Sequence, residues 1–206
     1  MDYPPLENTA PAVVDERPQL PGRGTARRVM IELVQTVLMV IGIYTVVNLA
    51  IPRYAVEGKS MQPSFNGEGS ERVIVSRLDY VLSDPKRGDI IVLNNPQGED
   101  RYIKRIVGLP GEIVTMEDGQ VYINGTILEE PYIMELCNRS RCNDREWLLG
   151  EDEYFVLGDN RNNCHDSVAF GAIPRSLIVG RAWIRYWPPS EWAIFEHHNY
   201  GNGLDR

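Results

Sequence analysis

From Leu33 to Ile51 the chain runs through nineteen residues without a charge, and Pro52 closes the run. An α-helix rises about 1.5 Å per residue, so this length approaches the roughly 30 Å of a bilayer's hydrocarbon core. A helix buried in a soluble core usually keeps a polar stripe. Here Gln35, Thr36, Thr45 and Asn48 interrupt the run without forming one. A cleaved signal peptide has a shorter apolar region, nearer the start of the chain. The segment therefore reads as a retained transmembrane anchor over residues 29–52. Arg23, Arg27 and Arg28 precede it, while Arg53, Glu57 and Lys59 follow with mixed sign. The excess of positive charge before the anchor predicts a single pass with the N-terminus in the cytosol. Everything after residue 52 is then extracytoplasmic, with the chain held in the cytoplasmic membrane of the cell.

The rest of the chain follows from that division. Residues 1–28 hold five prolines and few large apolar side chains, the composition of a disordered cytosolic tail. The formal charge of −8 argues against a nucleic-acid partner, which would meet a basic face. Cys137 and Cys142 lie on the exported side, where they either close a small disulfide loop or remain two free thiols.

Beyond residue 52 the pattern changes to short runs rich in β-branched and aromatic residues: "RVIVSRL", "DIIVLNN", "YIKRIVG", "EIVTM", "QVYING", "EYFVLGDN" and "LIVGRAWIRYW". "EDGQ" at 117–120 reads as a tight hairpin turn between two of them. No long amphipathic helix and no repeat appears. The expected fold is mainly β and antiparallel, one extracytoplasmic domain over 53–206 behind a single N-terminal transmembrane helix. Its glycine-rich end from His197 onward reads as a loose tail. Arg87-Gly88-Asp89 is a turn entering a strand rather than an adhesion tripeptide. With three histidines, no HExxH pattern and no glycine-rich phosphate loop, no metal or other cofactor is expected.

Chemistry concentrates at "VEGKSMQPSF", residues 56–65, where Ser60 needs a base within hydrogen-bonding reach to act as a nucleophile. Lys59 is its neighbour, but adjacent side chains diverge on strands and helices alike, and a solvated ammonium is a poor base. His165 stands next to Asp166 in a polar loop, so a Ser-His-Asp arrangement is conceivable. Lys104 lies in "RYIKRIVGLPGE" with Tyr102 and Ile106 on the same strand face. Buried there, its amine would lose its proton readily. Spacing alone equally describes an edge-strand lysine whose stem covers apolar surface while its head reaches water.

Four motifs weigh on that choice. "SMQPSF", "RGDIIVL", "KRIVGLPGE" and "GDNRNNCHDSVAFG", in this order after an apolar anchor, resemble the type I signal peptidase (leader peptidase) family. The likeness spans Ser60 to Gly171. It implies a membrane-anchored serine endopeptidase with a coiled, barrel-like β core. Such an enzyme removes signal peptides from exported preproteins beside the lipid bilayer, after small residues at positions −1 and −3. By that likeness Ser60 is the nucleophile, Lys104 the general base, and the Ser60 backbone N–H an oxyanion donor. Val56, Phe65, Tyr102 and Ile103 become candidate walls of the substrate pocket.

The chain also departs from the family pattern. Gly58 stands where some members place a second oxyanion donor, a serine hydroxyl. Cys164 replaces a serine that commonly bonds the catalytic lysine, and Val168 replaces an arginine that often pairs with the later aspartate, here Asp166. Arg161 or Lys104 itself is then the expected partner of Asp166, with Asp159, Asn160 and Arg161 shaping the loop. Two other readings compete: a self-cleaving LexA-like Ser–Lys protease, and a catalytically idle, membrane-anchored β module that binds peptides. The first would be soluble with a DNA-binding segment, and the second has no need of both dyad residues.

Overall fold

The computed structural model describes residues 23–198, 200, 203 and 204. The tail expected over 1–28 lies mostly outside these residues, but its last part does not: helix α1 (Arg23–Ala50) begins six residues before the expected anchor. Arginine is a good helix former, so charge limits where a membrane span can start without ending the helix. Among the described residues α1 is the one helix long and apolar enough to cross a bilayer. The chain divides into two compact units after Thr45.

In the second unit the chain forms β1 (Arg53–Glu57), β2 (Glu68–Ser76), a one-turn helix α2 (Asp79–Leu82), β3 (Ile90–Asn94) and β4 (Arg101–Gly108). A hairpin region follows, with β5 (Ile113–Glu117), β6 (Gln120–Ile123), β7 (Thr126–Ile127) and β8 (Arg145–Leu148). The chain then returns through β9 (Glu153–Leu157), α3 (Ser167–Phe170), β10 (Ile173–Pro174), the long β11 (Ile178–Trp187) and β12 (Ala193–Ile194). One sheet has the order β1-β2-β11-β3-β4-β9-β10, with β12 also paired to β11, and a smaller one the order β7-β6-β5-β8. Each strand pair is antiparallel, as expected.

The "EDGQ" turn closes as expected. Glu117 pairs with Gln120, and Asp118 and Gly119 both take positive φ (49° and 77°), the geometry of a two-residue type I′ hairpin. The Arg87–Asp89 turn is an internal fitting. Arg87 is buried on Glu112, with N···O distances of 2.9 and 2.6 Å, and the buried Asp89 accepts from Tyr80 Oη at 2.8 Å. The expected loose tail is also partly packed. Tyr200 and Leu204 are buried, and the Leu204 carbonyl accepts a hydrogen bond from Arg87 Nε at 3.1 Å. Composition signalled mobility there, but two large apolar side chains found a core to enter.

Candidate active site

Ser60 follows β1, whose register shifts between Val56 and Glu57. Gly58 then takes φ 83°, a left-handed conformation open to glycine at little cost. The turn that follows is pinned from below by Met61 and Phe65, both fully buried. A second support comes from the loop after β9. Asn160 donates its N–H to the Ser60 carbonyl and its side-chain amide to the Lys59 carbonyl, both at 3.1 Å. Gly158 lies so close that a Cβ there would stand 2.4 Å from the Ser60 carbonyl oxygen. Ser64 Oγ donates to Asp159 at 2.5 Å, and Asp159 is gripped by Arg105 through two bonds of 2.8 and 2.7 Å. Asp159 and Asn160 thus hold the loop and the turn together, while the Ser60 N–H meets no acceptor among the described residues.

Strand β4 brings Lys104 to this turn. It lies between β3, where Ile91 faces Lys104, and β9, which pairs from Arg105 onward. The lysine therefore stands where β4 passes from the open edge into the interior of the sheet, and it is 3% exposed. Its Nζ donates to Ser60 Oγ and to the Ile103 carbonyl, each at 2.9 Å, across 44 positions of sequence in the first case. Burial pulls its pKa below the ordinary lysine value. Cys164, Asp166 and Asp159 oppose that pull, and Arg141 adds to it. An amine so placed is poised to accept a hydroxyl proton.

The other candidate bases do not reach Ser60. Lys59 is exposed. His165 sits with Nε2 3.3 Å from Gln97 Oε1, its ring edge-on to Tyr102 and Phe170. Val56, Tyr102 and Ile103 line a cleft of about 180 Å³ with Ser60 and Lys104, joined by Tyr54, Ala55 and Arg101. Phe65 does not line it. Its ring packs 5.1 Å from that of Phe195 in the core beneath, because the turn needs a buried anchor there.

The surroundings of Asp166 correct the expectations made for it. Its partner is neither Arg161 nor Lys104. Arg161 is buried against Glu130, at 2.7 and 2.5 Å. Asp166 instead meets Arg141 Nη2 at 3.1 Å. It also accepts from the Gly158 and Val168 N–H groups, both at 3.2 Å, the second as the N-cap of α3. Cys164 donates its thiol to Asp166 at 2.5 Å and makes no hydrogen bond to Lys104. Burial, then the Asp166 carboxylate, pushes that thiol up to about 12, so it stays a protonated donor. Arg141, unmarked by any motif, lies inside the loop that Cys137 and Cys142 close as a disulfide, their Cα atoms 5.9 Å apart.

Comparison with known proteins identifies the family. Residues 29–187 match the family model described as "Signal peptidase, peptidase S26". "Signal peptidase I" of Leptolyngbya laminosa is 41% identical over 164 residues, covering 74% of this chain and 75% of its own. "Probable signal peptidase I-2" of Synechocystis sp. is 40% identical over 162 residues, covering 76% and 71%. "Signal peptidase I" of Bacillus amyloliquefaciens is 36% identical over 154 residues, covering 70% and 80%. A β domain behind one apolar helix, a serine in contact with a buried lysine, and these matches together place the chain in the signal peptidase I family of serine endopeptidases, peptidase S26.

Proposed function

We propose that this chain removes signal peptides from exported preproteins through an acyl-enzyme on Ser60, with Lys104 as the general base. The observation that carries the reading is the 2.9 Å contact between the Ser60 hydroxyl and a buried amine whose pKa is lowered by desolvation. The neutral amine takes the hydroxyl proton as Ser60 Oγ attacks the scissile carbonyl. The lysine ammonium then protonates the leaving amine as the peptide bond breaks. Water, deprotonated by the same amine, hydrolyses the ester and frees the serine. The Ser60 backbone N–H, which meets no acceptor among the described residues, is the proposed oxyanion donor, and Gly58 provides no hydroxyl as a second one.

Strand addition accounts for substrate binding. β1 is the edge of its sheet, and residues 101–104 of β4 pair with β3 alone, so two unpaired backbone edges border the cleft. An extended peptide laid between them sends alternate side chains toward Val56, Tyr102 and Ile103. The limited space there suits small residues at −1 and −3. Charge around α1 supports an N-terminus in the cytosol and a β domain outside the cytoplasmic membrane.

The test is cleavage of a preprotein by the full chain in detergent. Ser60→Ala and Lys104→Ala are expected to reduce turnover by at least about 1000-fold, while Lys59→Ala and His165→Ala keep most of it. Full activity in Lys104→Ala would overturn the mechanism. A wild-type chain that binds the preprotein without cutting it would instead indicate a peptide-binding module.

A further inference from the structure

Lys104 is faced by more negative charge than a neutral base should tolerate. Ser60 approaches from the turn after β1, and the Tyr102 ring lies on the same strand, its centroid 5.3 Å from Nζ. The loop after β9 contributes Asp159, Cys164 and Asp166, whose carboxylates are both 1% exposed. A buried carboxylate near an amine favours the ammonium, which cannot accept a proton from serine. Each carboxylate, however, is already committed to a guanidinium. Asp159 is held by Arg105 and Asp166 by Arg141. The amine thus faces two compensated pairs, and desolvation prevails.

The Arg105 pair is built into the core. The Arg141 pair depends on a short surface turn, and several contacts fix that turn's backbone. The disulfide joins Cys137 to Cys142, and Asn138 accepts the N–H groups of Arg141 and Cys142 at 2.9 Å. The Cys137 N–H bonds the Gly119 carbonyl at 3.3 Å, seating the turn on the β5–β6 hairpin. Gly119 admits this approach because a Cβ there would come within 2.2 Å of the Cys137 carbonyl oxygen. Asn162 accepts from the Asn138 N–H at 2.8 Å and donates to the Leu136 carbonyl at 3.1 Å, tying the turn to the loop that carries Cys164 and Asp166. From this frame Arg141 Nη2 reaches both Asp166 Oδ1 at 3.1 Å and Cys164 Sγ at 3.3 Å.

We infer that Arg141 is a positioning residue for Lys104, neutralising the Asp166 carboxylate beside the amine so that the amine can work as a base. This rests on Lys104 being the general base. Asp166 keeps three other donors (the Gly158 and Val168 N–H groups and the Cys164 thiol) when Arg141 is removed, so it stays in place as an uncompensated charge. The consequence is electrostatic rather than a collapse of the site. Lys104 holds its proton more tightly, and the acid limb of the rate profile moves to higher pH.

The experiment measures kcat/KM against pH for the full-length protein in detergent with a preprotein substrate, comparing wild type, Arg141→Gln, Arg141→Lys and Lys104→Ala. For Arg141→Gln the acid limb is expected to rise by about one pH unit, a tenfold loss at a fixed pH on that limb, with the alkaline plateau within about threefold of wild type. Arg141→Lys, which keeps the charge, is expected to return most of the shift. An unmoved limb in Arg141→Gln, or an equal loss at every pH, would overturn the inference. So would a limb in Arg141→Lys displaced as far as in Arg141→Gln. Activity surviving in Lys104→Ala would instead sink the reading of the base itself.

Discussion

Gly158 has no side chain, and the Ser60 carbonyl leaves room for none. A methyl group there would meet Ser60 O at 2.4 Å and Cys164 Cβ at 2.7 Å, and the first of these is backbone. We expect Gly158→Ala to fold but to push the serine turn away from Lys104, lowering kcat by roughly 100-fold, the scale associated with a misplacement near 1 Å. A rate within a few-fold of wild type, with the same melting temperature, would show that the turn can yield. At this scale the sequence was most informative about Ser60 and Lys104, whose motifs are contiguous. It was least informative about Lys104's burial, because the loop after β9 that faces it lies more than fifty positions later and leaves no local trace. Arg141 was hidden for a similar reason. Its contact with Asp166 spans 25 positions and depends on a turn seated on Gly119.

Elements that close on themselves were easier to read. The type I′ turn at Asp118–Gly119 is written in two adjacent residues, and the β5–β6 hairpin follows from it. The state of the turn between Cys137 and Cys142 is not legible in the sequence, since two cysteines five positions apart fit bonded and free states alike. Both sulfurs belong to buried residues packed in the core beside the smaller sheet. In the chain-entropy account, a loop this short stabilises the fold by about 2 kcal/mol. Cys137→Ser/Cys142→Ser is therefore expected to lower the melting temperature by roughly 4–8 °C under non-reducing conditions. Identical melts would mean that the hairpin and Asn162 hold the turn without help. α1 extends to Arg23, six residues before the anchor expected from position 29, because charge bounds an apolar span without ending a helix.

For the whole molecule, the decisive signal was the uncharged run, all but Ile51 of which lies in α1. How the β runs assemble was not legible, because the sheet order β1-β2-β11-β3-β4-β9-β10 joins strands from both ends of the domain. Orientation can be measured directly. Protease added outside intact cells is expected to digest the region after residue 52, and washing with alkaline carbonate to leave the intact chain in the membrane. A protected β domain would show the reverse topology. β4 carries one consequence beyond its own geometry. Its outer side is paired from Arg105 onward and open up to Lys104, so the lysine stands where the finished sheet stops. In the proposed strand addition, a peptide completing that ladder would shut out solvent still able to reach Ser60 and so finish drying the amine proposed as its base. In that arrangement the amine is most fully deprotonated only while a peptide occupies the cleft.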